Sequence, residues 1–269
     1  MSRLSDHAVD RSRRNSFDAI AEQYAEARPA YPSSVFDLIS DRVPPPARVL
    51  EVGPGPGVAT LPLAERGYEV VGVELGTNLA RVARRRLAGF PSVHIVHADF
   101  QEWEPVPGSF DLVLAASAWH WIDPSIGYAR AQAALRSGGY LVLVANHPRP
   151  GRLGSAQRRF WDATDPIYRR YAPALVARRG WHPTRLPDLR PEMRRSAFQD
   201  VERIVIRWRL TFASEAYVRL LDTYSDHRTL PDSQRQRLLG AIRGLADDRF
   251  GGNVRREYDT VVHLARAKR

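Results

Sequence analysis

A glycine-rich turn beside an acidic residue is the feature whose residue types most directly suggest chemistry. Residues 51–57 read Glu-Val-Gly-Pro-Gly-Pro-Gly and end a short apolar run. Glycines let a ligand approach the backbone where a Cβ would block it, and a helix that begins after the turn offers free N–H groups. The turn therefore predicts a bound metabolite. A plain glycine-rich turn is the alternative, because the spacing is G-x-G-x-G and not the G-x-G-x-x-G of dinucleotide-binding turns.

Two further acidic residues stand where later apolar runs end. Glu74 follows Glu51 by 23 residues, at a position where a carboxylate can accept hydrogen bonds from both ribose hydroxyls of a nucleoside. Asp99 suits the amino group of an adenine, and the ring of Phe100 suits the face of the base. Each acid taken alone is more simply a solvated loop residue. Because the carboxyl ends of parallel strands meet at one edge of a sheet, their joint positions favour a nucleoside site.

The fourth apolar run ends in Ala-Ala-Ser-Ala-Trp-His-Trp at residues 115–121. His120 can take a proton near neutral pH, and the indoles of Trp119 and Trp121 can wall a cationic or aromatic ligand. The alternative is that both indoles anchor the core and that His120 is a hydrogen-bonded structural residue. Tyr224 belongs to a polar cluster that either reaches the same pocket or simply ends a helix.

Composition excludes several kinds of chemistry. The chain has no cysteine, so disulfides, thiolate zinc sites, Fe–S clusters and a Cys nucleophile are excluded. Lys268 is the only lysine, which excludes a Schiff base in the body of the fold. His94 and His97 are three apart on a predicted strand and point to opposite faces, so we expect no metal site.

The charge is unevenly distributed. Of a net charge of +10, residues 149–209 carry +9, from 15 Arg against six acids. Such a segment can face nucleic acid, an anionic small molecule or solvent. No apolar run approaches the roughly 20 residues of a membrane span, and the first 14 residues contain no apolar leader. We therefore expect a cytoplasmic protein with no membrane partner.

Short apolar runs alternate with helical patterns through the middle of the chain, as in βαβ units. Strands are predicted at 48–52, 69–74, 93–97, 110–116 and 139–145, with helices at 57–66, 77–88 and 124–135. Two helices come earlier, at 16–27 and 33–41, after a mobile arm over residues 1–14. Near the C-terminus, strands are predicted at 201–212 and 254–265, with helices at 214–224 and 232–245 between them.

Together these elements predict a doubly wound, Rossmann-like α/β fold. Its sheet is seven-stranded and mostly parallel, with an antiparallel edge, because the first five runs are continuously apolar and the last strands alternate. We expect an N-terminal arm and cap helices over 1–46 and a ligand-binding α/β core over 47–146. A helical, Arg-rich lid insertion over 147–200 and strands and helices over 201–269 complete the chain.

The sequence resembles the class I S-adenosylmethionine-dependent methyltransferases, specifically the small-molecule group with a type 11 methyltransferase domain. The matching motifs are Phe17-Asp18, residues 24–29, Tyr31-Pro32, the glycine turn, Glu74, Asp99, residues 118–123, Phe250-Gly251-Gly252 and Tyr258. The resemblance implies S-adenosylmethionine as cofactor. It implies that Glu51, Gly53 and Gly55 hold its methionyl part, Glu74 its ribose, and Asp99 with Phe100 its adenine. Prolines at 54 and 56 depart from the usual small polar residues, so backbone contacts are expected there.

The resemblance also implies roles around the reacting methyl group. Tyr24 and Arg28 would close over the cofactor, with Arg28 near its carboxylate, and Ser117 would lie beside it at the tip of the fourth strand. His120 is the candidate catalytic base. The residues expected to contact the acceptor are Tyr31, Trp119, Trp121 and Tyr224.

The function expected from this resemblance is transfer of a methyl group to a small, aromatic or planar metabolite at carbon, nitrogen or oxygen. The alternative is a nucleic-acid-binding protein or an RNA methyltransferase that uses residues 149–209 as its contact surface. Nucleic acid is the less favoured partner, because the segment contains no RNA-binding module. The Asn/Asp-Pro-Pro-aromatic motif of base methylation is also absent after the fourth strand.

Overall fold

Runs of Val and Leu form the strands that organise the molecule. The computed structural model describes residues 18–149, 151–179 and 186–268. Their seven strands form one sheet in the order β3-β2-β1-β4-β5-β7-β6. The strands are β1 (Arg48–Val52), β2 (Glu69–Glu74), β3 (Val93–His97), β4 (Phe110–Ala116), β5 (Leu135–Pro148), β6 (Phe198–Ala213) and β7 (Asn253–Ala267).

The strands β1 to β5 are parallel, and β1 to β4 have the predicted bounds. Alternate residues face two separate buried clusters: Leu50 and Val113 lie on one side of the sheet, and Val49 and Leu112 on the other. Helices cover both faces, which is why these strands carry continuous apolar sequence instead of alternation. The prediction of a doubly wound, mostly parallel sheet is confirmed.

The antiparallel edge is also confirmed, although its strands are longer than predicted. β7 lies between β5 and β6 and is antiparallel to both. It pairs with β5 from Tyr140 to Pro148 and with β6 from Phe198 to Ala213. Because cross-strand hydrogen bonds continue past the apolar residues, the strands extend beyond the pattern that predicted them.

Helices pack on the two faces of the sheet and on each other. The described helices are α1 (Ala21–Ala27), α2 (Ser33–Arg42), α3 (Thr60–Ala64), α4 (Thr77–Arg86), α5 (Pro124–Ala134), α6 (Ala156–Tyr171), α7 (Pro173–Arg179), α8 (Arg190–Arg195), α9 (Ser214–Asp222), α10 (Ser225–Arg228) and α11 (Asp232–Phe250). Side chains from α6, α9 and α11, including Phe160, Tyr217 and Leu238, form a third buried cluster. None of these helices is both long and apolar enough to cross a membrane.

Several predicted helices differ from the structure. The helix predicted at 57–66 begins at Thr60, after the glycine turn. In the described part of the first predicted helix, α1 begins at Ala21, while Phe17 and the arm over 1–14 lie outside the described residues. The insertion between β5 and β6 is helical, but α6 packs with α9 and α11. The insertion therefore belongs to a helical layer that it shares with the C-terminal part of the chain.

Candidate active site

A cavity of about 580 Å³ lies at the carboxyl ends of the parallel strands. The strand order reverses there, with β2 and β3 on one side of β1 and β4 and β5 on the other. Open α/β sheets bind ligands in the crevice at this kind of reversal. The loops after β1 to β5 supply part of the lining, and α9, α10 and residues 18–31 supply more. The fold therefore builds a pocket where the predicted site residues converge.

The glycine turn forms the floor of this cavity. Gly53 and Gly55 have φ angles of +64° and +56°, in the left-handed region that favours glycine. A Cβ on Gly53 would lie only 2.7 Å from the Cβ of Ala118, whereas a Cβ on Gly55 would meet no protein atom within 4 Å. Gly53 is therefore needed for packing against the β4 loop, and Gly55 leaves open space on the cavity side.

Glu74 ties the loops after β1 and β2 together. Its two carboxylate oxygens accept hydrogen bonds from the backbone amides of Gly55 at 2.9 Å and Gly76 at 2.7 Å. The residue lines the cavity and is 7% exposed. A carboxylate offers about four acceptor positions, so this structural role is compatible with hydrogen bonds from ligand hydroxyls. Glu74 thus shapes the glycine turn as well as the pocket.

Glu51 is the most deeply buried acid of the pocket. Its Oε2 accepts a hydrogen bond from the hydroxyl of Thr60 at 2.7 Å. Burial raises the pKa of Glu51 to about 7, the Thr60 hydrogen bond opposes this shift, and the negative charge of Glu74 adds to it. A carboxyl group that changes charge near neutral pH is therefore built into the cavity wall.

The loop after β3 supplies the third predicted acid. Asp99 Oδ1 accepts a hydrogen bond from the amide of Gln101 at 2.9 Å, and the loop lines the cavity. Phe100 is 3% exposed and also belongs to the cavity wall, with its ring centroid 6.5 Å from that of Trp119. An acid and an aromatic ring thus face the same end of the pocket.

Arg28 lies between two aromatic rings at another side of the cavity. Its guanidinium carbon is 4.8 Å from the ring centroid of Tyr24 and 4.9 Å from that of Tyr224. Its Nη2 donates to the carbonyl of Thr223 at 3.0 Å, which joins the N-terminal helices to the end of α9. Arg28 therefore places a positive charge in this wall and links two segments of the chain, the end of α1 and the end of α9.

The tip of β4 is held in a strained backbone conformation. Ser117 has a φ of +57°, which is costly for a residue with a Cβ, and its amide donates to Val144 at 2.7 Å. The Tyr31 hydroxyl donates to Ser117 Oγ at 2.8 Å. Burial raises the pKa of Tyr31, so its hydroxyl stays protonated at neutral pH. Such local strain is typical of functional sites.

The Trp-His-Trp segment forms a 3₁₀ turn whose side chains lie in different environments. His120 is exposed at the cavity, and Trp121 lines it, with the two ring centroids 4.6 Å apart. Trp119 is 7% exposed and packs in the core, 5.1 Å between centroids from Tyr128. The prediction that Trp119 contacts the acceptor is therefore corrected, because the turn directs its indole toward α5 and away from the cavity.

The cavity brings the other predicted residues together. Those that line it are Tyr24, Arg28, Tyr31, Glu51, Gly53, Gly55, Glu74, Asp99, Phe100, Ser117, His120, Trp121 and Tyr224. Of the predicted lid over 147–200, His147 and Pro148 line the cavity, whereas its described residues from 149 onward do not. Leu220, Tyr224 and Ser225 of the α9–α10 region also line it. Within the described ranges, no group of three His, Asp or Glu is arranged to hold a metal ion.

Three residues of the site were not assigned a role from the sequence. Asp18 Oδ1 accepts hydrogen bonds from the amides of Asn78 at 2.8 Å and Leu79 at 2.9 Å, and so caps α4 from 60 residues away. Thr60 binds Glu51, and Tyr258 lines the cavity from β7. Asp18 and Tyr258 belong to motifs that carry the family resemblance, which was the available signal. Thr60 has no sequence signal, because its contact depends on how α3 packs on β1.

Comparisons with known proteins find methyltransferases that are similar to this chain. A family model described as a methyltransferase domain matches residues 50–143. An uncharacterized methyltransferase of Mycobacterium tuberculosis strain H37Rv is 32% identical over 231 residues, which cover 86% of this chain and 85% of that protein. The rRNA adenine N-6-methyltransferase of Saccharopolyspora erythraea is 42% identical over 69 residues, only 26% of this chain and 18% of that protein.

A solved structure also has the same fold. The chain superposes on a putative type II methyltransferase from Anaeromyxobacter dehalogenans with a TM-score of 0.62 and 23% sequence identity. The superposition covers 90% of this chain and 98% of that one. At this level of identity the likeness concerns the architecture alone.

Proposed function

This chain belongs to the class I S-adenosylmethionine-dependent methyltransferases, and we propose that its acceptor is a small, aromatic or otherwise planar metabolite. The observation that carries the proposal is the lining of the cavity. It combines the strand-end acids with the aromatic rings of Tyr31, Trp121 and Tyr224. When it is bound, S-adenosylmethionine would supply an electrophilic methyl group on a positively charged sulfur. The nucleophile of the acceptor can be carbon, nitrogen or oxygen.

The residues around the glycine turn fit this cofactor. The open space at the Cβ position of Gly55 supports close approach of a ligand to the backbone. The buried carboxyl group of Glu51 supports binding of an ammonium group, since ionisation costs less beside a positive charge. We assign the methionyl part to Glu51, Gly53 and Gly55, the ribose to Glu74, the adenine to Asp99 and Phe100, and contacts near the carboxylate and sulfur to Tyr24, Arg28 and Ser117.

Three aromatic residues are proposed to hold the acceptor. Tyr31, Trp121 and Tyr224 line the cavity and present apolar faces to a flat ligand. Contact of a cation with such a ring contributes about 0.5 to 2 kcal/mol, so the same faces favour a positively charged sulfur. Trp119 is left out because it is buried in the core. Alignment of donor and acceptor by these walls would supply much of the rate enhancement.

His120 is proposed as the base that removes a proton from the acceptor. Its ring stands at the cavity beside Trp121 and next to the strained tip of β4. If it acts so, His120→Ala should lower kcat by roughly 10²- to 10⁴-fold and leave cofactor affinity nearly unchanged. His94→Ala, at an exposed histidine outside the cavity, is the matched control. A loss under about threefold would leave alignment as the main catalytic effect.

Cofactor binding can be tested separately by calorimetry with S-adenosylhomocysteine. Gly55→Ala should weaken binding, because the added methyl group points into open space at the cavity. Gly67→Ala is a matched control: Gly67 has a φ of +85° and an equally open Cβ position, but it lies outside the cavity. Equal affinities of the two variants would contradict the assignment of the glycine turn.

The acceptor can be identified with an isotopically labelled methyl group. The protein is incubated with labelled S-adenosylmethionine and a small-molecule extract, and labelled products are separated by mass. We expect a labelled product of low molecular mass that contains an aromatic or planar group and that His120→Ala forms more slowly. Label found only in RNA, or in no small molecule at all, would contradict the proposal.

The RNA alternative is less favoured by the contacts of the basic segment. Several of its arginines form ion pairs with acids of the same segment, at N···O distances of 2.9 Å for Arg158–Asp162, 2.6 Å for Arg169–Asp165 and 2.7 Å for Arg190–Asp188. An arginine that is already paired with a carboxylate attracts the phosphates of a nucleic acid less strongly. Steeply salt-dependent retention of RNA, together with methyl transfer to it, would favour the alternative.

A further inference from the structure

Arg256 is a buried cation next to the cavity. It lies on β7, is 4% exposed, and donates from Nη1 to the Tyr217 hydroxyl at 3.0 Å. Its guanidinium carbon is 5.5 Å from the ring centroid of Trp161, and its Nε is buried without a hydrogen-bond partner. Among the residues that the structure describes, no carboxylate lies within 4 Å of it. A buried charge of this kind is costly unless something neutralises it.

Tyr258 connects this cation to the cavity. It stands two residues along β7, so it shares a face of the strand with Arg256, and it lines the cavity. The residue is 2% exposed and stacks on Trp208 with ring centroids 5.0 Å apart. Its hydroxyl is buried and has no hydrogen-bond partner. Such a hydroxyl is a hydrogen-bond donor without an acceptor, and a ligand in the cavity can supply the acceptor atom.

A second guanidinium adds to the positive charge at this end. Arg28 also has a buried Nε without a hydrogen-bond partner, and within the described ranges it has no carboxylate within 4 Å. Tyr224 lies close enough to both cations that each acts to lower its pKa, although burial raises that pKa overall. Because Arg28 is assigned to the carboxylate of the cofactor, Arg256 is the cation that stays unneutralised at this end of the pocket, close to the unpartnered hydroxyl of Tyr258.

Nearby acids do not neutralise this end, because they are engaged by other groups. Asp222 pairs with Arg235 at 2.8 Å, and Asp226 pairs with His227 at the same distance. Glu257, which points to the opposite face of β7, pairs with Arg149. The missing negative charge must therefore come from a ligand.

We propose that the acceptor carries an anionic oxygen group, of the carboxylate or phosphate class, that binds at the cavity end walled by Tyr224 and Tyr258. Tyr258 donates a hydrogen bond to this group, and the charge of Arg256 attracts it. The inference rests on the proposed methyl transfer and adds the charge of the substrate to it. Because β5 separates β7 from β4, this end lies roughly 10 Å from the β4 tip, so the anionic group anchors the acceptor and is not the methylated atom.

The test measures binding of simple anions to the full chain saturated with S-adenosylhomocysteine, so that the carboxylate of the cofactor already has its partner. Phosphate and acetate are titrated separately against chloride at equal ionic strength, and binding is followed by thermal unfolding. The comparison of phosphate with acetate identifies which class of anion the site prefers. We expect an anion-specific rise in Tm for the wild type with at least one of them.

Four variants locate the site. Tyr258→Phe keeps the ring stack and removes only the hydroxyl, and it should weaken anion binding about tenfold, as loss of a hydrogen bond to a charged group does. Arg256→Gln should weaken it similarly, and Arg256→Lys should restore part of the affinity. Arg255→Gln, at the exposed neighbouring arginine on the opposite face of β7, should change nothing. Circular dichroism checks that each variant is folded.

The outcomes separate this inference from the proposed function. Absence of anion-specific stabilisation in the wild type, or an equal response in all variants, would overturn the anionic subsite even if a labelled small-molecule product forms. Anion binding that depends on Tyr258 and Arg256 supports the subsite, whether or not methyl transfer is detected. A labelled product without a carboxylate or phosphate would also overturn it.

Discussion

Glu51→Gln should make the protein without cofactor more stable at neutral pH. The carboxyl group of Glu51 is 1% exposed, and its burial raises its pKa from the ordinary value of 4.5 to about 7. Between these two pH values the folded chain binds a proton that the unfolded chain releases. Stability therefore falls as the pH rises through this window, and the cost of the buried charge is complete above pH 7.

The size of the effect follows from the two pKa values. One pH unit of difference corresponds to 1.36 kcal/mol, so the window between 4.5 and 7 amounts to about 3 kcal/mol. No discount for solvent screening applies to a group this deeply buried. Glutamine has nearly the same shape and can still accept the hydrogen bond of Thr60. The variant should thus exceed the wild type by less than about 1 kcal/mol near pH 5 and by up to about 3 kcal/mol near pH 8.

Urea unfolding of both proteins at several pH values between 5 and 8 measures this difference. The stability of the wild type is subtracted from that of the variant at each pH, because His263 also makes stability depend on pH, with the opposite sign. Its pKa is lowered to about 4, chiefly by burial, so its contribution to stability is lost as the pH falls below 6.5. That contribution is common to both proteins and cancels. Thr60→Val is the control, since loss of its hydrogen bond should move the pKa of Glu51 still higher.

Parallel stability profiles of the wild type and Glu51→Gln across this range would refute the reasoning. They would mean that Glu51 titrates near its ordinary pKa, either because water reaches it or because another cation compensates it. A cofactor whose ammonium group binds Glu51 should also release close to one proton near pH 6 in the wild type and none in the variant. Calorimetry in buffers of different ionisation enthalpy measures that release.

Three smaller effects can be measured in the same unfolding assay. Gly53→Ala should destabilise the fold by more than the roughly 1–2 kcal/mol of left-handed strain, because its Cβ would lie 2.7 Å from that of Ala118; a cost below about 1 kcal/mol would contradict this packing. Asp18→Ala should cost about 1–2 kcal/mol through loss of the cap on α4, and unchanged stability would mean that water replaces it. Arg158→Ala and Arg169→Ala should change stability by no more than about 0.5 kcal/mol and leave turnover unchanged, since both pairs are largely exposed; a large loss of turnover would implicate the basic segment in catalysis.

The parallel part of the sheet could be predicted from the sequence because its signal is local. A strand buried on both faces needs an uninterrupted apolar run, and β1 to β4 end where those runs end. The positions of Glu51, Glu74 and Asp99 follow from the same rule, since parallel strands bring their carboxyl ends to one edge. The family resemblance then predicted the cofactor. These conclusions needed no knowledge of which helix packs against which.

Only the tertiary structure decided which side chains face the pocket and how their charges are balanced. Trp119 and Trp121 are two residues apart on one turn, yet one packs against Tyr128 and the other lines the cavity. Arg255 and Arg256 are adjacent on β7, yet one is exposed and the other is buried among aromatic rings. Burial depends on contacts between segments far apart in the chain, here α5 on β4 and α6 and α9 on β7. The spacing of apolar residues predicts whether a segment is a helix or a strand. It does not predict which other segment buries a given side chain, because that depends on packing across the whole fold.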